Sequence, residues 1–209
     1  MSSVDFRSVL VEQAALAGVS LPAAVIDGCV THYGLMVRWN ATHNLTRVVD
    51  PEEAAVRHYL DCLVPVMAWS SPSAPNDFLD IGSGAGFPGL IAALLWPGVT
   101  AGLVEPARKR ASFLSIAAGA MGVRAQVRSP GPWTSSLVLS RATFSSGVRE
   151  TLWPYVTRGG SLLVWSTDHE AETWRSTVAT WADASLSTLP YTLPSIDGRV
   201  LVVVRRSQA

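Results

Sequence analysis

The 209-residue sequence is poor in charged residues, and above all in lysine. Asp, Glu, Lys and Arg make up 15% of it, and the 16 basic side chains balance the 16 acidic ones. Ordinary globular proteins contain about 25% charged residues. Lys109 is the single lysine, so arginine carries nearly all of the positive charge. A net charge of zero excludes a uniformly basic surface for non-specific nucleic-acid binding, although a local basic patch is compatible with it.

Signals for targeting and for metal binding are also lacking. No apolar run approaches the roughly 18 residues of a membrane span. Asp5 lies where a signal peptide would place an apolar core. Cys29 and Cys62 lie in apolar segments of helical character, which favours buried free thiols over a disulfide. Because the cysteines and the four histidines show no zinc-ligand spacing, we expect a cytoplasmic protein without metal or membrane anchor.

The first third of the chain has the pattern of helices. The hydrophobic content of 48% and the mean hydropathy of +0.27 supply ample material for a core. Ser3, Pro22 and Asp50 stand at favourable positions to begin three helices. Pro65 is expected to kink or end the third of them. A turn-rich linker follows at residues 70–76.

Short apolar runs alternate with helical periods after this linker. The candidate strands are 78–81, 99–104, 123–127, 137–140, 161–165 and 200–204, and the helices between the first of them are 90–96 and 107–121. Such alternation predicts βαβ units and an α/β, Rossmann-like fold, in which helices cover both faces of a mainly parallel twisted sheet. We expect residues 1–70 to form an N-terminal helical extension, packed on a core domain of residues 71–209.

A glycine-rich segment, FLDIGSGAGFPG at residues 78–89, follows the first candidate strand. Glycines such as Gly82 and Gly84 permit positive φ and close approach of a ligand to the backbone. Ligands of open α/β sheets bind at the carboxyl ends of the strands, where this loop lies. Glu105 ends the second strand about 20 residues on, where a carboxylate can accept hydrogen bonds from both ribose hydroxyls.

Three interpretations of this loop remain open from the residues alone. Residues 84–89 match the dinucleotide pattern G-x-G-x-x-G, but Asp80 would repel a pyrophosphate at the helix N-terminus. S-adenosylmethionine (AdoMet) is favoured, because Asp80 can bind its ammonium group and Glu105 its ribose. In the third interpretation Asp80 only caps its own turn and no ligand binds.

Five segments carry a resemblance to a known family. They are the loop at 79–89, the W-N-x-x-x-N-L-T pattern at 39–46, the H-x-x-D pattern at 58–62, the acid and basic run at 105–114, and the S-R-A step at 140–142. Together they resemble the RsmG (GidB) family of bacterial small-subunit ribosomal RNA methyltransferases, over about residues 30–205. Cys62 stands where the family pattern has serine.

The resemblance implies a class I methyltransferase that uses AdoMet to methylate N7 of a guanine. The guanine would lie in the decoding-region hairpin of 16S ribosomal RNA, and the substrate would be either this RNA or the small ribosomal subunit. We expect the protein to be a monomer. Arg141 would be the catalytic residue, near the methyl group and the target base. The candidate cofactor-binding residues are Asp80, Gly82, Gly84, Phe87, Glu105, Ser129, Pro130 and Arg141. The candidate RNA-binding residues are Arg108, Lys109, Arg110 and Arg199.

Guanine N7 has a free lone pair, so the reaction needs no general base and can rest on placement and electrostatics. Arg141 can donate to guanine O6; alternatively it is a strand-end arginine paired to an acid.

His58 and Asp61 share one helical face at i and i+3, where they either orient a loop over the cofactor or form a hydrogen-bonded pair that fixes the helices to the sheet. We favour the pair. Trp39 and Asn40 are interpreted as a packing anchor and a buried amide that satisfies loop backbone.

Three positions depart from the family pattern. Residues 128–130 lack the acid that follows the third strand, Ser135 replaces an aspartate that opens the fourth, and Trp165 replaces a lysine after the fifth. These departures keep two alternatives open. One is a methyltransferase with a divergent RNA or small-molecule target; the other is a catalytically silent paralogue that binds AdoMet or RNA.

Overall fold

Helices form the first part of the computed structural model, which describes residues 5–69, 75–141 and 151–208. They are α1 (Phe6–Leu16), α2 (Ala23–His43), α3 (Pro51–Ala54), a π-helical segment (Ala55–Leu60) and α4 (Asp61–Ala68). The expected cap at Asp50 is confirmed, because its Oδ1 accepts from the amides of Glu52 and Glu53, each at 3.0 Å. Ser3, most of the 70–76 linker and Ala142 lie outside the described residues.

Pro65 was expected to kink or end the third helix, and it does not end it, since α4 continues through Pro65 to Ala68. A proline in a helix leaves the carbonyl four residues earlier without its donor. Here that carbonyl belongs to Asp61, and the indole Nε1 of Trp165 donates to it at 2.6 Å. A side chain from the sheet therefore replaces the hydrogen bond that Pro65 cannot make.

Within the described residues, seven strands form one sheet in the order β3-β2-β1-β4-β5-β7-β6. Its first five strands are parallel, and β7 runs antiparallel to both of its neighbours. The bounds are β1 Asp77–Ile81, β2 Thr100–Val104, β3 Arg124–Arg128, β4 Ser135–Arg141, β5 Val156–Thr167, β6 Ala184–Leu193 and β7 Ile196–Arg206. The predicted α/β fold with a mainly parallel sheet is confirmed.

Helices cover both faces of this sheet. They are α5 (Gly89–Ala93), α6 (Arg108–Met121) and α7 (Asp168–Val178). One buried cluster joins the N-terminal helices, α5 and α6 to one face, and a second lies under Ala171, Trp174 and Val178 of α7 on the other. The cysteines are free and buried, as expected. No helix in the described ranges has the length and apolarity to cross a membrane.

The connection from β3 to β4, residues 129–134, contains no helix. Strands β2 and β1 lie between the two strands that it joins, whereas parallel crossovers usually take a dozen or more residues, most often including a helix. Trp133 organises this short segment: its Nε1 donates to the carbonyl of Ser129 at 2.9 Å, and the guanidinium of Arg128 lies 4.4 Å from its ring centroid.

Candidate functional site

The glycine loop leaves the carboxyl end of β1 in the conformation that its glycines predict. Gly82, Gly84 and Gly86 have φ values of +80°, +57° and +94°. Residues with a Cβ rarely adopt this backbone conformation. The amide of Gly84 donates to Oε2 of Glu105 at 2.9 Å, which ties the loop to the end of β2. A Cβ on Gly84 would have open space around it, with the Gly82 carbonyl at 3.8 Å as its nearest neighbour.

Asp80 lies beneath this loop, and its side chain is fully buried. Its Oδ2 accepts from the amide of Gly89 at 3.0 Å, so it does hold its own turn, while Oδ1 is buried without a hydrogen-bond partner. Desolvation raises the pKa of Asp80 to about 7, against the lowering effect of its hydrogen bonds. A buried carboxylate oxygen without a donor is unusual, and an ammonium group fits it in charge and in hydrogen bonding.

Glu105 is 4% exposed at the end of β2, and both of its oxygens accept from backbone. Oε2 accepts from Gly84, and Oε1 accepts from the amide of Ala107 at 2.8 Å. Carboxylate oxygens have further lone pairs, so this arrangement is compatible with additional donors such as ribose hydroxyls. Ribose binding by Glu105 stays a prediction.

Phe87 of the loop is buried in a cluster of rings instead of lining open space. Its ring stacks on His58 with centroids 4.6 Å apart, and His32 meets it edge-on at 5.0 Å. The guanidinium of Arg141 lies 5.2 Å from the Phe87 centroid. Burial and then the charge of Arg141 lower the pKa of His58 to about 4, so this ring is neutral near pH 7.

His58 and Asp61 take different partners, so the hydrogen-bonded pair expected from their spacing is wrong. His58 Nε2 lies 2.9 Å from the hydroxyl of Thr46. The carboxylate of Asp61 faces the sheet instead, where Arg141 Nη1 donates to Oδ2 at 3.2 Å. Arg199 binds the same carboxylate through Nε and Nη2, both at 3.0 Å. Asp61 alone therefore performs the anchoring that was expected of the pair.

The structure separates the candidate RNA-binding residues into two environments. Arg108, Lys109 and Arg110 are exposed in the first turn of α6. Arg199 is 16% exposed at the side chain and paired with Asp61. Ser129 and Pro130 are exposed on the connection after β3. RNA contact by the first four and cofactor contact by the last two stay predictions.

Two neighbouring patterns from the N-terminal segment are confirmed in the structure. The ring of Trp39 packs edge-on against Phe113 of α6, with centroids 5.7 Å apart. The side-chain oxygen of Asn40 accepts from the amide of Thr46 at 2.9 Å, although Asn40 is half-buried and not fully buried as expected. Since Thr46 also contacts His58, the asparagine supports the loop that orients this ring.

His32 is a site residue that sequence reasoning missed. Its fully buried ring bridges the hydroxyl of Tyr59 and the carbonyl of Ala85 in the glycine loop, each at 2.8 Å. A carbonyl only accepts, so Nε2 carries the proton and Nδ1 accepts from Tyr59. Desolvation lowers the pKa of His32 to about 4. A lone histidine on an apolar helix face gives no sequence signal for this contact.

Comparisons of sequence agree with this geometry. The family described as GidB, rRNA small subunit methyltransferase G, matches residues 27–192. A ribosomal RNA small subunit methyltransferase G of Streptococcus pyogenes is 26% identical over 223 residues, which cover 100% of this chain and 92% of that protein. A protein of the same name from Streptococcus agalactiae is 33% identical over 118 residues, 56% of this chain and 48% of its own length.

Comparisons of structure show a shared fold. An O-methyltransferase from Bacillus cereus, solved in complex with SAH, aligns with a TM-score of 0.61 at 14% identity, over 96% of this chain and 100% of its own. A methyltransferase from Pyrococcus furiosus aligns with a TM-score of 0.60 at 10% identity, over 86% of this chain and 98% of its own. The class I methyltransferase fold is confirmed.

Proposed function

The chain belongs to the GidB family of rRNA small subunit methyltransferase G, and from this premise we propose that it is an AdoMet-dependent ribosomal RNA methyltransferase. The proposed reaction transfers a methyl group to N7 of a guanine in the decoding-region hairpin of 16S RNA. The observation that carries the proposal is the buried Oδ1 of Asp80, which has no donor beneath an open glycine loop. This donor is what the ammonium group of AdoMet would supply.

The proposed cofactor site follows the ends of the first three strands. Asp80 would bind the ammonium group, Glu105 the ribose, and the backbone at Gly82 and Gly84 would lie against the cofactor. Ser129 and Pro130 would border the adenine. When bound, AdoMet supplies an electrophilic methyl group on a sulfonium. The role of the protein is then to bind the cofactor and the target base, to orient them and to exclude water.

The proposed role of Arg141 is to hold the target base. Guanine presents O6 and N7 as acceptors on one edge, and a guanidinium donating to O6 leaves the N7 lone pair for the methyl group. Both hydrogen bonds that Arg141 makes to described residues come from Nη1, to Asp61 and to the carbonyl of Arg57. The neutral ring of His58 fits a site where the sulfonium loses its charge, because it adds no competing charge.

The proposed RNA surface is small. Arg108, Lys109 and Arg110 lie side by side at the N-terminal end of α6, on the helix that follows Glu105. Because the net charge of the chain is zero, a local group of this kind would have to supply the attraction to phosphate. We assign residues 1–70 to the helical extension and 71–209 to the methyltransferase domain of a cytoplasmic monomer.

Deletion of the gene and mapping of N7-methylguanine in the decoding hairpin tests the proposal. Loss of the modification and its return with the wild-type gene, but not with Arg141→Ala, is the expected result. An unchanged level of methylation would rule out this target. Transfer of labelled methyl groups to small subunits, free RNA and metabolite pools then distinguishes a divergent target, and calorimetry without AdoMet binding would contradict every enzyme function considered.

A further inference from the structure

The carboxylate of Asp61 is the meeting point of three strands and a helix. Asp61 is the first residue of α4 and is 5% exposed, and its carboxylate accepts hydrogen bonds on both oxygens. Oδ1 accepts from the hydroxyl of Tyr191 on β6 at 2.7 Å and from Arg199 on β7 at 3.0 Å. Oδ2 accepts from Arg199 at 3.0 Å and from Arg141 at the end of β4 at 3.2 Å.

The backbone of Asp61 is held as firmly as its side chain. The indole of Trp165 donates to its carbonyl, and this carbonyl is available because Pro65 has no amide proton to donate to it. The proline and the tryptophan therefore fix where the carboxylate lies relative to β5. Trp165 lies within β5 and not after it, where a lysine was expected, and its contact with Asp61 is a neutral hydrogen bond.

The two arginines depend on this single carboxylate. Their side chains are 15% and 16% exposed, for Arg141 and Arg199 respectively. Guanidinium groups so far from water need an acid that pairs with them, because a buried charge without a partner is strongly unfavourable. Arg199 takes the carboxylate with two donors, and Arg141 takes it with one.

The direction of Arg141 follows from these contacts. Nη1 is fixed at one side by Asp61 and by the carbonyl of Arg57, 3.1 Å away. The guanidinium carbon lies 5.2 Å from the ring centroid of Phe87 in the glycine loop. Asp61 thus holds one nitrogen of Arg141 while the guanidinium carbon lies over the ring of Phe87 in the glycine loop.

We infer that Asp61 is a positioning residue, which holds Arg141 over the glycine loop with Arg199 and Tyr191 as its supports. This inference rests on the proposed function, because it assigns Asp61 a role in the same site. It gives Arg199 a place in the site without RNA contact. Asp61 itself touches neither base nor cofactor and acts through Arg141.

A double-mutant cycle in methyl transfer to small subunits tests the inference. Asp61→Asn should lower kcat about 100-fold, the cost that a displacement of about 1 Å can have, while AdoMet affinity stays near the wild-type value. In the Arg141→Ala background the same substitution should cause little further loss. Equal losses in both backgrounds would show that Asp61 does not act through Arg141 and would overturn the inference.

Chemical modification of Arg141 gives a second measurement that needs no enzymatic activity. Phenylglyoxal should modify Arg141 faster in Asp61→Asn than in the wild type, as followed by mass spectrometry of the peptide. If wild-type protein transfers no methyl group, the proposed function fails, yet a faster modification still shows that Asp61 restrains Arg141. An unchanged rate overturns it.

Two further variants separate positioning from stability. Asp183→Asn removes another partly buried ion pair, with Arg206 at 2.8 Å, and should lower thermal stability without affecting kcat. Asp61→Glu keeps the charge but displaces the carboxylate, so it should also lower kcat. It serves as the test if Asp61→Asn fails to fold. Wild-type kcat in a folded Asp61→Glu would contradict a positioning role.

Discussion

Asp80 and Gly89 are joined by a hydrogen bond of 3.0 Å that crosses the glycine loop from the end of β1 to the start of α5. A Cβ at position 89 would lie 2.5 Å from the carboxyl oxygen, so glycine is required for this approach. One oxygen of the carboxyl closes the turn, and the other has no partner. Desolvation in this fully buried place raises the pKa of Asp80 to about 7.

Binding of AdoMet should therefore strengthen as the pH rises through the titration of Asp80. Below its pKa of about 7 the carboxyl is protonated, and a neutral acid attracts an ammonium group weakly. Calorimetry should show up to about a tenfold loss of affinity for each pH unit below 7. Asp80→Asn should bind weakly at every pH. If this variant keeps the wild-type pH dependence, another group is responsible.

A side chain at Gly84 should block the cofactor while leaving the fold intact. The Cβ of Gly84→Ala would enter open space at φ +57°, with about 1–2 kcal/mol of strain. Gly122→Ala is a matched control, since its φ is +68° and its Cβ meets nothing within 4 Å, while the Cβ at Gly84 meets only the Gly82 carbonyl at 3.8 Å. Both should lose similar stability in thermal unfolding, and only Gly84→Ala should lose AdoMet affinity. Equal binding by both would place the cofactor elsewhere.

Acid should destabilise the fold through His32. Its folded pKa of about 4 lies below the usual value of 6.5, so its contribution to stability is present above pH 6.5 and is lost as the pH falls toward 4. The loss is of the order of 3 kcal/mol for so buried a ring. Asp80 opposes it, since a raised pKa favours the folded state at low pH. Melting temperatures of His32→Gln should fall less steeply with acid than those of the wild type or of His169→Gln, an exposed control; equal slopes would contradict this.

Charge removal on α6 should separate RNA binding from stability. Neutralising Arg108, Lys109 and Arg110 together should weaken small-subunit RNA binding and reduce its salt dependence, by about 0.7–0.9 in the log–log slope for each phosphate that the protein no longer neutralises. Thermal stability should hardly change, because all three are exposed. Arg199→Ala should instead lower stability and leave the salt slope unchanged. The opposite pattern would assign the RNA contact to Arg199.

The fold could be predicted from the sequence wherever hydrophobic runs are strong. Each predicted strand is present within a few residues, and the buried strands β1, β2, β4 and β5 contain the continuous apolar runs that identify them. Strand β6 was missed because it is an edge strand with alternating polar residues and Pro190, which an edge tolerates. Helix α7 was missed as well. Its apolar stripe is short, consisting of Ala171, Trp174 and Val178, and the other residues of the helix are polar or charged.

The site was predictable where one segment makes it, and not where distant segments meet. The glycine loop and its following acid are local patterns, and the resemblance placed Arg141 beside them. The partners of Asp61 are 80 and 138 positions away for Arg141 and Arg199. No periodicity relates such residues. The continuation of α4 through Pro65 could not be predicted for the same reason, because it depends on a hydrogen bond from Trp165 of β5.

The contact between Asp61 and Arg199 also bears on the order in which the molecule is completed during synthesis. Arg199 and Tyr191 belong to the last hairpin, β6 and β7, while the glycine loop and the first five strands precede it. A nascent chain can pair those strands before the hairpin exists, yet its Asp61 then lacks two of its three side-chain donors. The carboxylate that binds the arginine beside the loop therefore gains its remaining donors only once β7 and β6 have joined the sheet, so that an unfinished chain carries a loop without a finished site.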